Sequence, residues 1–275
     1  MPELPEVQTI VNDLQRKIVG SKIVDVWYNW ARHIKYPSPE KFKRAIKNSK
    51  ILKVERRAKN ILIHLDKNRL LLIHLKMTGH LLLKRKNKTE KDKHIHLIFY
   101  LDDGRTLLFS DIRKFGKVLF GEKEQVFRKA GIDKLGPEPL ASNFSLKKFQ
   151  EIISGRKGKI KTVLMNQNII SGIGNIYSDE VLWLSKISPF RTVSKLSVQE
   201  VKNLYRAIQK VLKKAIKLRG SSISDYRDIS NKPGTYSAKR LVYKREDEPC
   251  PRCGSKIKKA RIGGRSTHFC PNCQK

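Results

Sequence analysis

The chain has 275 residues, and its 60 lysines and arginines against 25 acidic residues give a formal charge of +35. Such a charge attracts polyanions, so nucleic acid is the expected partner and a basic protein at a membrane surface is the alternative. No apolar run approaches the roughly 20 residues that span a bilayer, and the first residues lack the features of a secretory signal, so we expect a soluble cytosolic protein.

The chain opens with a predicted helix that has one buried face. After Pro5, apolar residues recur at helical spacing, at Val7, Ile10, Val11, Leu14 and Ile18. Pro5 suits the first helical position, because its φ is already helical and its missing N–H would have had no partner there. The helix therefore holds the chain terminus near its N-terminal end.

That terminus carries a candidate nucleophile, Pro2, beside a carboxylic acid, Glu3. Removal of Met1, expected before a small residue, would expose a secondary amine with a pKa of about 8, partly unprotonated at neutral pH. Attack of this amine on a sugar C1′ would give an iminium, and Glu3 could donate a proton to the opening sugar. A proline in this position is also common as mere processing context.

Short runs rich in Ile, Val and Leu follow, from Lys22 to about Gly121. The predicted strands are residues 23–28, 51–54, 61–65, 70–75, 80–83, 95–101, 106–110 and 118–120. A turn at Asp102–Arg105 and the alternation at His94–Leu97 predict a hairpin. Many short strands with polar turns predict a β-sandwich or barrel, which we assign to a first domain of residues 1–133.

Residues 136–139 end the strand pattern, and a helical pattern begins. Helices are predicted at residues 144–153, 162–168, 177–184 and 197–218, the last opening with a capping box. Gly172 and Gly174 predict a turn between two helices, whose N–H groups could bind phosphate; alone, such glycines are more often a plain C-cap. We expect a helical domain of residues 134–236, with a polar loop at 220–234.

The four cysteines, Cys250, Cys253, Cys270 and Cys273, have the spacing C-x2-C-x16-C-x2-C. Two such pairs suit one tetrahedral Zn²⁺, and four thiolates leave no open position, so the ion would be structural. Arg265 lies beside glycines between the pairs, where a hairpin could press it against phosphates; a solvated basic face is the alternative. Residues 237–275 are therefore predicted to form a zinc β-hairpin, and the fold class is multi-domain α+β.

A series of motifs in one order resembles the formamidopyrimidine-DNA glycosylase family. The motifs are Pro2–Val7, Arg57–Lys59, His74–Gly79, Asp111–Gly116, Leu135–Leu140, Gly174–Tyr177 and Gly264–Thr267, the last followed by Phe269–Pro271. The resemblance runs from Pro2 to Gln274. It implies an N-terminal helix and β-sandwich, a helix-two-turn-helix domain and a zinc hairpin.

The resemblance implies a bifunctional glycosylase and lyase that acts on 8-oxoguanine and ring-opened purines in duplex DNA. Pro2 would be the nucleophile and Glu3 the proton donor. Lys59 would act at the abasic-site chemistry and on a phosphate, and Arg265 would assist the final elimination. The product would be a one-nucleotide gap with phosphates at both ends. A bacterial monomer acting at the nucleoid is expected.

The resemblance also assigns residues that hold DNA around an extruded nucleotide. Met77, Arg113 and Phe115 would fill the vacated space, although without it Met77 and Phe115 would be taken as core. DNA contacts carried over are His94, Arg113, Arg156, Lys161 and Asn175. Residues 221–234 would grip the base, and the following Tyr236–Ala238 departs from the family's common Phe-Gln pairing.

Two alternatives remain open. An enzyme of the endonuclease VIII type would remove oxidised pyrimidines, but such enzymes usually have glycine where this chain has Leu4, and they lack the Met77 and Arg113–Phe115 pattern. A zinc-ribbon protein that binds DNA or ribosomes by charge alone would explain the cysteines and the charge. It would leave the joint presence of Pro2, Glu3, Lys59 and Arg265 unexplained.

Overall fold

The computed structural model describes residues 1–85, 92–222 and 226–275. The described chain divides into two compact units, residues 1–133 with 218–235 and residues 134–217 with 236–275. The expected α+β class is confirmed, whereas the domain boundaries 1–133, 134–236 and 237–275 stay predictions. None of the described helices combines the length and the apolar character that a bilayer crossing requires.

The secondary structure of the described residues follows the predicted order. The helices are α1 (Leu4–Ile18), α2 (Pro39–Ile46), α3 (Lys123–Ala130), α4 (Leu146–Ile153), α5 (Ile160–Met165), α6 (Asn175–Ser185) and α7 (Val198–Lys217). The strands are β1 (Lys22–Tyr28), β2 (Ile34–Tyr36), β3 (Ser49–Arg57), β4 (Asn60–Leu65), β5 (Arg69–His74), β6 (Gly79–Arg85), β7 (Ile95–Leu101), β8 (Arg105–Asp111), β9 (Lys117–Glu122), β10 (Lys258–Ile262) and β11 (Arg265–Phe269). The predictions omitted α2, α3 and β2.

Helix α1 buries the stripe of apolar residues that its sequence predicts, and Leu4 is buried as well. Glu3 is the N-cap, so Pro5 occupies the second helical position rather than the first that we expected. The second N–H of a helix also lacks a partner within the helix, so the missing proline N–H still costs nothing there. The helix therefore begins immediately after the predicted nucleophile and acid.

The first nine strands form one sheet in the order β2-β9-β5-β4-β3-β1-β7-β8-β6. Strands β1 and β3 pair through only two residue pairs, Lys22 with Lys50 and Ile23 with Ser49. Side chains of both halves, such as Ile63 of β4 and Phe99 of β7, enter one hydrophobic core. The two halves therefore face each other across that core, which confirms the predicted β-sandwich.

In the second unit, α5 and α6 flank the two-glycine turn and α7 packs on α6. Gly172 has a φ of +90°, and Gly174 is the N-cap of α6. Strands β10 and β11 form an antiparallel hairpin that contacts α6. This arrangement confirms the predicted helix-two-turn-helix and zinc hairpin.

A buried carboxylate on α6, that of Glu180, fixes the chain that leads into the hairpin. It accepts hydrogen bonds from the backbone N–H groups of Leu241, Val242 and Tyr243 at 2.8 to 3.1 Å, and from the Tyr236 hydroxyl at 3.1 Å. Burial raises the pKa of the Glu180 carboxyl, and these hydrogen bonds partly oppose that rise. The four donor groups all need an acceptor, and the carboxylate provides one to each because both of its oxygens accept.

We expect Glu180→Gln to destabilise the protein by about 2 kcal/mol, because the amide group replaces one acceptor with a donor that faces N–H groups. Urea unfolding monitored by fluorescence measures the change. Glu248→Gln is the control, since this carboxylate is 53% exposed and its ion pair with Arg245 is local, so a change below about 0.5 kcal/mol is expected. Equal unfolding midpoints for the two variants would contradict the role assigned to Glu180.

Candidate functional site

The start of α1 presents Pro2 and Glu3 in a fixed geometry. Both residues are buried, whereas Met1 is 49% exposed. The Glu3 N–H donates to Glu6 Oε2 at 2.8 Å. The predicted nucleophile and the predicted acid therefore lie side by side at the N-terminal end of α1.

Lys59 lies in the turn between β3 and β4, where Ala58 has a φ of +55°. It is 6% exposed, and the neighbouring Asn60 pairs with His74 of β5. Burial, with Lys76 and Lys59 nearby, lowers the pKa of His74 to about 3, so its imidazole is neutral at physiological pH. Lys59 and Lys76 therefore both contribute positive charge near His74.

The predicted void-filling residues meet on the surface of the first unit. Met77 and Phe115 are 40% and 52% exposed, and Arg113 is exposed between them. Arg113 Nη1 lies 3.1 Å from Met77 Sδ, and the guanidinium lies 4.9 Å from the centre of the Phe115 ring. The alternative that Met77 and Phe115 are core residues is therefore wrong.

Buried Asp111 ties together the two loops that carry these residues. Its Oδ1 accepts from the Thr78 hydroxyl at 2.5 Å, and its Oδ2 accepts from the Gly116 N–H at 2.7 Å and lies 3.2 Å from His33 Nε2. Thr78 in turn accepts from the Arg113 N–H at 3.0 Å. Burial alone would raise the pKa of Asp111, but these hydrogen bonds outweigh it and lower the pKa.

Asp111 and Thr78 have no role in the sequence-based prediction, although both lie within the motifs Asp111–Gly116 and His74–Gly79. The available signal was an acid directly after a predicted strand, residues 106–110. An acid in that position is often a loop anchor because it can accept several nearby N–H groups. Only the fold reveals that the loop after β5 supplies the other donor.

The predicted DNA contacts occupy different environments. His94 is half-buried just before β7, and its N–H donates to Asp92 Oδ1 at 2.8 Å. Arg156 is half-buried after α4, and its side chain donates to the Ile152 carbonyl. Asn175 is half-buried as the first residue of α6. That position lies among the backbone N–H groups that a helix N-terminus offers to an anion.

Lys161 differs from these residues because its side chain is fully buried. Its ammonium donates to Asp179 Oδ1 at 2.5 Å and to the Ser266 carbonyl at 3.2 Å. This placement does not support a direct DNA contact by the Lys161 side chain. Instead, the side chain connects α5 with α6 and with the hairpin.

The four cysteines form a cluster whose geometry fits a metal ion. All four sulfurs lie within 4.8 Å of one another, with 3.9 Å between Cys250 and Cys273 and 3.5 Å between Cys253 and Cys270. A tetrahedral ion about 2.3 Å from each sulfur needs sulfurs about 3.8 Å apart. The Trp183 indole N–H donates to Cys250 Sγ at 3.3 Å, which orients that ligand.

Arg265 is exposed at the tip of the hairpin, directly after Gly263 and Gly264. Both glycines have positive φ, +54° and +74°, which allows the tight reversal. Behind the tip, the His268 N–H donates to Asp179 Oδ2 at 2.9 Å. The hairpin is thus anchored on α6 at its base and presents a guanidinium at its end.

Three family models match the chain in order. They are the formamidopyrimidine-DNA glycosylase N-terminal domain at residues 1–118, the formamidopyrimidine-DNA glycosylase H2TH domain at 135–227, and the zinc finger found in FPG and IleRS at 247–275. Together these matches span both units and the cysteine cluster.

Relatives named formamidopyrimidine-DNA glycosylase match over the full length of both chains. The protein of Herpetosiphon aurantiacus is 41% identical and that of Streptococcus mutans is 40% identical. A complex of a Lactococcus lactis FPG mutant with DNA containing Fapy-dG has a TM-score of 0.92 and 36% identity, with all of both chains covered. A complex of L. lactis Fpg with abasic-site DNA also has a TM-score of 0.92, over 99% of each chain. The chain is a member of the formamidopyrimidine-DNA glycosylase family.

Proposed function

We propose that this protein excises oxidised purines, 8-oxoguanine and formamidopyrimidines, from duplex DNA and then cleaves the strand at the abasic site by β,δ-elimination. The observation that carries the proposal is the pairing of Pro2 with buried Glu3 at the start of α1. Family membership and the full-length likeness to L. lactis enzymes solved with damaged DNA support the substrate class.

The first step is a displacement at C1′ of the damaged nucleotide. The lone pair of the Pro2 nitrogen forms a bond to C1′, and the glycosidic electron pair leaves with the base. The N–H proton of Pro2 passes to the departing base, the C1′–O4′ bond breaks as Glu3 gives its proton to O4′, and the nitrogen becomes an iminium. Because the Pro2 amine is secondary, this iminium has no N–H left to lose and stays cationic.

The second stage breaks the two phosphate ester bonds of the opened sugar. Loss of a C2′ proton expels the 3′-phosphate, and a further elimination expels the 5′-phosphate, which leaves a one-nucleotide gap. We assign Lys59 to this abasic-site chemistry and to a phosphate, in keeping with its cationic surroundings. We assign Arg265 to the final elimination, since it is exposed at the end of its hairpin.

Access to C1′ requires the damaged nucleotide to leave the stack. Met77, Arg113 and Phe115 form the exposed cluster that we propose enters the vacated space, with Arg113 hydrogen-bonding the orphaned base. His94, Arg156 and Asn175 are proposed DNA contacts. The partner is damaged double-stranded DNA, and we propose that a monomer binds it at the nucleoid, in the cytoplasm of a bacterium.

The cysteine cluster is proposed to hold one structural Zn²⁺. Cys250, Cys253, Cys270 and Cys273 would be its ligands, and four thiolates leave no position for a reacting water. When bound, the ion would cross-link the four cysteines by coordination and so constrain the fold of the hairpin. Arg265 then depends on the metal for its position rather than for its chemistry.

Borohydride trapping tests the proposed nucleophile. On a duplex with one 8-oxoguanine opposite cytosine, we expect reduction of the iminium to yield a stable protein–DNA adduct. Pro2→Gly still permits removal of Met1 but offers a primary amine, and it should slow adduct formation by about 100-fold. Its affinity for a duplex with an uncleavable abasic analogue should stay nearly unchanged.

Pro5→Ala is the matched control, because it removes a proline from the same helix start without touching the amine. Parallel reactions use undamaged DNA and a thymine glycol duplex. Trapping mainly on thymine glycol would move the assignment to the pyrimidine enzyme. The absence of any adduct from protein shown to lack Met1 would leave a protein that only binds DNA.

Removal of the metal should weaken DNA binding by about tenfold or more and reduce strand cleavage with it, because the hairpin loses its constraint. The measurements are metal content, anisotropy with labelled duplex, and cleavage of abasic DNA.

Arg265→Ala should reduce cleavage while metal content stays constant. The control is Arg261→Ala, since Arg261 is an exposed arginine on the other strand of the hairpin, and this variant should leave the final elimination intact. Full activity of verified metal-free protein would refute the role of the metal in positioning the hairpin.

A further inference from the structure

Arg219 lies just beyond the end of α7, in the part of the chain that returns to the first unit. Its guanidinium pairs with two carboxylates, Asp13 of α1 and Asp228; Nη2 lies 2.6 Å from Asp228 Oδ2, and Nε lies 3.2 Å from the same oxygen. The side chains of Asp13 and Asp228 are only 6% and 3% exposed. One arginine therefore bridges two buried carboxylates from distant parts of the sequence.

Asp228 organises the segment that follows it. Its other oxygen, Oδ1, accepts from the N–H groups of Ser230 and Lys232, both at 2.9 Å. Burial raises the pKa of Asp228, but these backbone donors and Arg219 outweigh that effect and lower it. The carboxylate that shapes this turn is thus the one that Arg219 ties to α1.

The same segment is docked on the first unit at other points. Ile229 and Tyr226 are buried in the core of the sandwich, and the Ile229 carbonyl accepts from the Leu83 N–H at 2.9 Å. At its base, the Thr235 N–H donates to the Leu218 carbonyl at 2.9 Å. Residues 226–235 are therefore packed onto the first unit, and we call them the docked segment. The ion pairs of Arg219 attach the docked segment to α1.

A second carboxylate of α1, that of Glu6, connects the chain that leads to the docked segment with the predicted catalytic residues. Glu6 Oε2 accepts from the Glu3 N–H at 2.8 Å, while Glu6 Oε1 accepts from the Ser221 N–H at 2.7 Å. A Cβ on Gly220 would lie 2.7 Å from Glu6 Oε1, so only glycine allows this approach. Glu6 and Asp13, two turns apart on one helix, thus hold the residues on either side of Gly220.

Arg219 itself adopts a left-handed conformation, with a φ of +59°. This conformation is disfavoured for a residue with a Cβ, and the ion pairs of the side chain offset part of that cost. A glycine in its place would fit the backbone better and lose only the ion pairs.

We propose that Arg219 is a positioning residue for recognition of the damaged base. It fixes the docked segment, residues 226–235, on α1 and so determines the position of this segment relative to Pro2 and Glu3. The inference rests on the proposed function and on the prediction that residues 221–234, of which 223–225 lie outside the described residues, grip the extruded base. Excision, which needs the base to be held, then depends on Arg219. Cleavage at a preformed abasic site, which offers no base, does not.

The test compares three variants in single-turnover assays on two duplexes, one with 8-oxoguanine opposite cytosine and one with a preformed abasic site. Arg219→Gly removes the ion pairs and suits the backbone. Arg219→Lys keeps a positive charge without the planar fork that reaches both acids. Arg16→Ala is the matched control, because Arg16 pairs with the same Asp13 at 2.8 Å but forms a local i,i+3 pair within α1.

We expect Arg219→Gly to slow excision of 8-oxoguanine by about tenfold while cleavage of the abasic duplex stays within about twofold. Arg219→Lys should give an intermediate loss, and Arg16→Ala should match the wild type on both duplexes. Hydrogen exchange at the Ser230 and Lys232 amides should accelerate in Arg219→Gly and not in Arg16→Ala. This readout reports the attachment independently of activity.

Equal losses on both duplexes, or unchanged excision with faster amide exchange, would overturn the positioning role and leave Arg219 as a stabilising residue only. If Arg219→Gly does not fold, the ratio of the two rates in Arg219→Lys decides in the same way. A wild-type protein that cleaves neither duplex would instead refute the proposed function, so the two failures are distinguishable.

Discussion

The hydrogen bonds that the Glu6 carboxylate accepts are the constraint on which the predicted chemistry depends. One oxygen holds the backbone of Glu3 and the other holds that of Ser221, residues that lie more than two hundred positions apart in the sequence. A carboxylate can do this because both of its oxygens accept, and because helix α1 is itself fixed by its buried apolar stripe. The backbone next to Pro2, the proposed nucleophile, therefore has a defined place.

The same device recurs at the other functional elements. Asp111 joins the loops that bear Met77 and Phe115, Asp179 holds the hairpin on α6, and Asp228 shapes the segment after Gly220. Seven acidic side chains are buried in the described residues, against two lysines and no arginine: Glu3, Glu6, Asp13, Asp111, Asp179, Glu180 and Asp228. Acids suit such sites because backbone N–H groups are abundant in loops and every buried donor needs an acceptor.

The sequence predicts those parts of the molecule that periodicity and spacing encode. The strands of the sandwich, the capped helix after Ser197 and the cysteine cluster follow from local patterns. Helix α2 was missed because it is short, although Ser38 as a cap and Phe42 and Ile46 four residues apart were a usable signal. The burial of Lys161 could not be predicted, because its partner Asp179 lies eighteen residues away and only the packing of α5 on α6 brings them together. Long-range polar pairs of this kind have no period to detect.

The division of charge also explains how a protein with a formal charge of +35 can fold and still attract DNA. Two lysines and no arginine are buried among the described residues, so nearly all of the positive side chains described lie where they can attract DNA. Exposed lysines contribute additively to DNA affinity, because each phosphate that they neutralise releases counterions whatever the DNA sequence. They therefore govern the affinity for DNA and its dependence on salt. The buried acids act individually, because each positions one loop. General attraction to DNA and the placement of particular reacting groups therefore depend on different residues.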